Sequence, residues 1–165
     1  MDKKLNHRSA PVEVRERYAL TNVQDFEQGL LTDCRVRECL ALSTCNRVEI
    51  LAVSDHPGDL TAEVLAYWAK TCGGDPAALA PHTYVHEDLE AVGHVFRVAA
   101  SLDSMVMGEP QILGQLKAAY RAAVEKGAAR VIVNRLLHKS FSVAKRVRTE
   151  TAIASSAVSI SFAAV

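Results

Sequence analysis

The residues with the most chemical potential stand together in Ser43-Thr44-Cys45-Asn46-Arg47. A thiol is a useful nucleophile as its thiolate, and a nearby cation favours that form. Arg47 follows Cys45 by two positions, so in an extended segment the two side chains point to one side. Thr44 and Asn46 add a hydroxyl and an amide that could orient a polar substrate. The chemistry would be nucleophilic attack by Cys45, with a covalent intermediate on its sulfur. The same residue types are ordinary in a turn joining two strands, and on spacing alone that plainer reading stands ahead. Cys34, Cys39 and Cys72 form no CxxC pair and no zinc-finger spacing with histidine. They read as small buried hydrophobes, and no metal is expected.

A second group is Glu109-Pro110-Gln111-Ile112-Leu113-Gly114-Gln115. Pro110 fits the first position of a helix with Glu109 at its cap, which puts Gln111 and Gln115 one turn apart on one face. Two amides beside a helix N-terminus suit a substrate with ammonium and carboxylate groups, although exposed glutamines also decorate solvated helices. His94 falls opposite a Leu89, Val92, Phe96 stripe, so it reads as a surface or cleft residue able to exchange protons near neutral pH. Between Arg130 and Arg148 there are six Lys or Arg residues and no acid, with Arg135, Lys139 and Arg146 along one side. That stripe suits an RNA backbone or simply the wet face of an amphipathic helix.

The elements that must position these groups differ between the two halves. Strand-like runs at Lys4–His7, Val36–Leu42 and Val48–Val53 alternate with helices opening at Pro11, capped at Thr21 or Asn22, and spanning Thr61–Cys72. Gly73-Gly74 ends the last of these. From Glu87 to Glu150 the periodicity is helical, with stripes at Leu89/Val92/Phe96/Ala99, Leu113/Leu116/Tyr120/Val124 and Leu136/Val143/Ala144/Val147. Ala154-Ser155-Ser156 reads as a cap and Ala157–Val165 as the start of another helix. The expected class is α+β: a small α/β, ferredoxin-like unit over 1–88, a helical bundle over 89–155, and the start of a further element over 156–165. About half the 165 residues are apolar, and nineteen basic residues balance nineteen acidic ones, so no global field advertises a nucleic acid. No apolar run approaches a membrane span, and MDKKLNHRS is no signal peptide, so a soluble cytoplasmic protein is expected.

Several segments together resemble the glutamyl-tRNA reductase family. Asn6-His7-Arg8-Ser9-Ala10-Pro11-Val12 with Val14-Arg15-Glu16-Arg17 resembles the family's opening, and Leu42 to Glu49 its nucleophile segment. Phe96 to Ala100, Leu102 to Val106 and Gly108 to Gln115 resemble its substrate-binding stretch, and Ala144 to Thr151 the entry to its connecting helix. Ser101 stands where the family pattern leads one to expect glycine, and Gly93 where a basic residue is common. The resemblance reverses the order of readings at Cys45. It implies that this thiol attacks the ester of glutamyl-tRNA, forming a glutamyl thioester that NADPH reduces to glutamate-1-semialdehyde for tetrapyrrole synthesis. It implies glutamyl-binding roles for Thr44, Asn46, Arg47, Ser104, Glu109, Pro110, Gln111 and Gln115, and a catalytic role for His94. Arg47 would grip a substrate carboxylate with its fork. Family enzymes continue into a nucleotide-binding and a dimerisation domain, so NADPH binding and a homodimer are expected of the full-length enzyme. These 165 residues contain no GxGxxG or P-loop. A thiol hydrolase using Cys45 and His94, and an RNA-binding module with an incidental cysteine, are the rival readings.

Overall fold

Strand β1 (Asp2–Asn6) is paired on both sides although it reads Asp-Lys-Lys-Leu-Asn, a composition that disfavours a central strand. The computed structural model of the chain describes residues 1–104 and 107–154. The expected cap at Ser155-Ser156 and helix over Ala157–Val165 lie outside them.

After β1 come α1 (Val12–Arg17), opened by Pro11, and α2 (Val23–Asp33), where the Asn22 side chain accepts the Asp25 N–H. The hairpin β2 (Glu38–Ser43) and β3 (Arg47–Val53) follows, then α3 (Leu60–Thr71), α4 (Pro76–Leu79) and β4 (Tyr84–His86). The remainder is helical: α5 (Asp88–Ala99), α6 (Gln111–Glu125) and α7 (Val131–Glu150). The sheet order is β2-β3-β1-β4 with every pairing antiparallel, which is the ferredoxin-like split βαβ arrangement on an α+β frame. Strand β4 is absent from the sequence reading; three residues are too few for a period-2 signal, and pairing with β1 makes it a strand.

Register separates the two faces of the sheet. Leu5 on β1, Val48, Ile50 and Ala52 on β3, and Cys39 and Ala41 on β2 share a face by alternation. They belong to one buried cluster with Tyr18, Phe26, Leu30, Val64 and Trp68 of the α1–α3 layer. On the opposite face Leu40, Leu42 and Leu51 meet Val95, Val98, Leu116 and Leu137 of α5, α6 and α7. Glu38 ties this layer to the sheet: its carboxylate accepts the N–H groups of Arg130, Ile132 and Val133 at 2.9–3.1 Å, capping α7 with negative charge.

Towards β4 the second face turns polar. Lys4 Nζ lies 2.8 Å from His94 Nδ1 and 3.8 Å from Asp103 Oδ2. His94 Nε2 lies 3.2 Å from Glu49 Oε2 and 3.5 Å from Asp2 Oδ2. Arg47 Nη1 lies 2.7 Å from Glu49 Oε1, and Arg47 Nη2 donates to the Asp103 carbonyl. Apart from Asp103 these side chains are all buried. Burial pushes the Asp2 carboxyl well above the ordinary range, helped by Glu49 beside it. The desolvation of Glu49 is outweighed by its His94 hydrogen bond, Arg47 and Lys4, so its carboxyl stays below the usual value. The carboxylates of Glu49 and Asp103 lie within ion-pair distance of Lys4 or Arg47. The expected phase of α5 is therefore wrong: His94 is 1% exposed and Leu89 85%. A periodicity count scores histidine as polar, whereas the buried ion pairs here pull it inward. The α6 stripe is likewise rotated, with Ile112, Leu116 and Ala123 buried and Val124 exposed.

Two stability predictions follow from burial. Glu27 on α2 is 1% exposed; one carboxylate oxygen accepts the Ala41 N–H at 2.8 Å and the other has no partner. Burial, only partly opposed by that N–H, raises its pKa to about 7. Between the unfolded value and about 7 the folded state holds the extra proton, so stability falls as pH rises through this window. Glu27→Gln should remove that slope, stabilising the chain by about 2–3 kcal/mol near pH 8 and by little near pH 5, in urea melts. Lys4→Met should cost about 3–5 kcal/mol at neutral pH, because Glu49 and Asp103 lose a buried counter-charge. That loss should shrink on acidification as the carboxylates protonate; a loss equal at both pH values would show that Lys4 acts by packing alone.

Candidate active site

The β2–β3 turn carries the thiol. Thr44 N–H donates to the Arg47 carbonyl at 2.8 Å, leaving Cys45 and Asn46 as the central residues. The Thr44 hydroxyl oxygen accepts the N–H groups of Asn46 and Arg47, both at 3.2 Å, and so holds the turn from inside. From outside, Arg15 on α1 donates to the Cys45 carbonyl at 3.0 Å and to Asn46 Oδ1 at 3.2 Å. Cys45 is exposed at the apex. Its three counterparts are all less reactive by position. Burial pushes the thiols of Cys34 and Cys72 up, and that of Cys39 up to about 12.

The turn forms one wall of a cleft whose lining includes Thr44, Cys45, Asn46 and Arg47. The opposite wall comes from the segment after α5 and the first turns of α6, with Ser104, Glu109, Gln111, Ile112 and Gln115. His7, just past the end of β1, completes it. Eight of the ten residues singled out from the sequence thus converge on one cleft. Pro110 does not line it; it is the N-cap residue that starts α6 and so sets the direction in which Gln111 and Gln115 project. His94 does not line it either. It lies in the buried ion-pair cluster and is linked to the cleft through Glu49 and Arg47.

The second wall is held by Ser101, whose φ is +61°, a left-handed conformation that favours glycine. The sequence position at which glycine is expected is therefore one that needs its freedom. Here the serine hydroxyl donates to the Glu109 carbonyl at 2.7 Å and the Ser101 carbonyl accepts the Gly108 N–H at 3.0 Å, closing the loop. These bonds offset a backbone cost of about 1–2 kcal/mol. Arg148 on α7 donates to the Gly108 carbonyl from behind.

Two expectations about geometry need correcting. Arg47 is not an extended-strand neighbour of Cys45, because the turn reverses the chain between them. It is 3% exposed, and both terminal nitrogens are engaged by Glu49 and Asp103. The cation that braces the β2–β3 turn from α1 is Arg15, which sequence reasoning missed because thirty positions separate the two. His7 was likewise noticed only as part of an opening motif. Of the basic stripe, Arg135 and Lys139 are exposed on α7, while Arg146 pairs with Glu150 at 3.0 Å. Asp2, Glu49 and His94 have ligand atoms within 4.8 Å of one another, spacing that could hold a metal ion. Lys4 and Arg47 already supply positive charge to these atoms, which marks the group as an ion-pair network. Among the described residues no helix is long and apolar enough to cross a membrane.

Comparison with known proteins agrees with this arrangement. Residues 4–151 match the family described as glutamyl-tRNAGlu reductase, N-terminal domain. The glutamyl-tRNA reductase of Maridesulfovibrio salexigens is 70% identical over 98% of this chain, and that of Nitratidesulfovibrio vulgaris strain DP4 is 64% identical over 98%. The chain spans 36% and 37% of those two proteins. Among solved structures, glutamyl-tRNA reductase from Methanopyrus kandleri superposes with a TM-score of 0.76 at 27% identity, covering 91% of this chain and 34% of that one. The chain belongs to the glutamyl-tRNA reductase N-terminal domain family.

Proposed function

We propose that this chain is the part of a glutamyl-tRNA reductase that transfers the glutamyl group from tRNA to the Cys45 sulfur. The observation that carries the reading is the cleft: one exposed thiol at the tip of a doubly braced turn, facing polar side chains from a second wall. Ser104 Oγ is buried there without a hydrogen-bond partner among the described residues, a group that a polar substrate would satisfy. Gln111 and Gln115 offer amide donors and acceptors, and Glu109 a carboxylate suited to an ammonium group. Asn46 and Thr44 flank the sulfur.

In the reaction the Cys45 sulfur attacks the ester carbonyl, the carbon–oxygen bond to the tRNA breaks, and the glutamyl group remains as a thioester. Arg47 serves as a positioned positive charge at the cleft wall, its fork already committed to Glu49 and Asp103. His94 acts through that chain of contacts, holding Glu49 and hence Arg47 in place. NADPH would supply hydride to the thioester in the complete enzyme, where the protein also forms its homodimer; none of the residues described here makes a glycine-rich phosphate loop.

Mixing the chain with glutamyl-tRNA should give a species heavier by one glutamyl group, and the adduct should be released by thiols. Cys45→Ser should give no thiol-labile adduct while its melting curve is unchanged. Binding of glutamyl-tRNA with no adduct on the wild-type chain would favour the RNA-binding reading. Iodoacetamide should label Cys45 first and Cys39 last, as peptide mapping would read; even labelling of the four thiols would remove the case for Cys45 as the reactive one.

A further inference from the structure

His7 is a second histidine near the chemistry, and it differs from His94 in every respect that matters for proton transfer. It lines the same cleft as Cys45, whereas His94 does not. Its Nδ1 is buried and has no hydrogen-bond partner among the described residues. The imidazole is therefore not committed to a structural hydrogen bond through that nitrogen, as it would be in a purely structural role.

The backbone explains why His7 arrives there. β1 and β3 are antiparallel with Asn6 opposite Arg47, so the next residue on β1 lies beside the turn that precedes β3. Asn6 then fixes the exit. Its side-chain oxygen accepts the Arg8 N–H at 2.9 Å, and its carbonyl accepts the N–H groups of Ser9 and Ala10 at 3.1 and 3.0 Å. Asn6 Nδ2 also donates to the Tyr84 hydroxyl. The chain is pinned immediately before and after His7, while the imidazole itself is bound by nothing.

We propose that His7 is the proton-transfer residue of this cleft, taking the thiol proton of Cys45 as the sulfur attacks and returning it to the departing tRNA oxygen. The inference rests on the glutamyl-transfer reading above. The step balances: the sulfur–carbon bond forms, the ester carbon–oxygen bond breaks, and one proton moves from sulfur to the ribose hydroxyl through the imidazole. The charged groups facing His7 are Arg8 beside it, Arg47 on β3, Arg15 on α1 and Asp103 after α5. Burial first, then the three arginines, lower its pKa from the ordinary value, with Asp103 opposing. The lowered pKa favours the neutral ring, the form that accepts the thiol proton, and makes the imidazolium a stronger acid towards the departing oxygen. The base form is lost only as pH falls through this lowered pKa, so the acid limb of the rate profile should lie below the usual histidine range.

The test is single-turnover acylation of Cys45 by glutamyl-tRNA from about pH 5 to about pH 8, for wild type, His7→Gln and His7→Asn. Both variants should acylate about 100-fold more slowly or worse, lose the acid limb, and still bind glutamyl-tRNA with unchanged affinity. Among the described residues His7 Nδ1 has no hydrogen-bond partner, so their melting curves should match wild type. A His7 variant that acylates at the wild-type rate with the acid limb intact overturns the proposal. If wild type forms no glutamyl adduct at all, the glutamyl-transfer reading fails, and the burst from 4-nitrophenyl acetate on Cys45 decides separately. A burst that falls about tenfold or more in His7→Gln, with loss of its acid limb, supports His7 as the base; an unchanged burst overturns it.

Discussion

Everything at the cleft depends on keeping Arg47 charged and buried at the end of a β-strand. An arginine that is 3% exposed needs carboxylates and acceptors within reach, and they cannot all come from its own strand. Glu49 comes from β3 two residues on, the Asp103 carbonyl from the segment after α5, and both are held in turn by Lys4 of β1 and His94 of α5. Four separate pieces of chain must be in register before the charge is compensated. The β1–β3 register brings His7 to the β2–β3 turn, and Ser104 lines the facing wall. Breaking a pair of this kind is far more costly than never having built it, so the cluster acts as a check on assembly of the cleft.

The sheet divides its labour along one face. Near β2 it is apolar and carries α6 and α7 on Leu40, Leu42 and Leu51; near β4 it is ionic and carries α5 on Lys4 and Glu49. The cleft opens where the ionic half meets the hairpin turn. An apolar face throughout would bury the helices more firmly but leave no fixed charge beside the thiol. The cost appears in the strand itself, since Asp2, Lys3 and Lys4 are all buried in β1 and burial lowers both lysine pKa values. Pairing on both sides keeps such a sequence extended where its own preference would not.

What was legible in the sequence is what local rules decide. The cap at Asn22, one of two candidates read, and the pair Gln111/Gln115 one turn apart follow from residues a few positions away, as does a helix start at Pro110, which is the N-cap one place before the first helical residue. The glycine-demanding position at Ser101 is legible too, visible from the family pattern and explained by its positive φ. Contacts between distant segments were not legible. Nothing in Arg15 announces that it will brace a turn thirty residues later, and nothing in Lys4 announces a histidine ninety residues away. The burial of His94 inverted a periodicity argument for the same reason: a polar residue with buried partners obeys the partners and not the stripe.

The four thiols show how reactivity can be assigned without any special activation. Cys39 donates weakly towards the Glu27 carbonyl and Cys72 towards the Ala19 carbonyl, and burial disfavours the thiolate of each. Cys34 has Glu63 and Asp33 near it, which act in the same direction as its burial. Only Cys45 is exposed, so selection among the cysteines is achieved by suppressing three. The surroundings of the exposed one are a separate matter. Arg15 holds the Cys45 carbonyl and the Thr44 oxygen holds the turn, so the backbone that carries the exposed thiol is fixed from both sides. Of His7 and His94, only His7 lines the cleft that the exposed thiol shares.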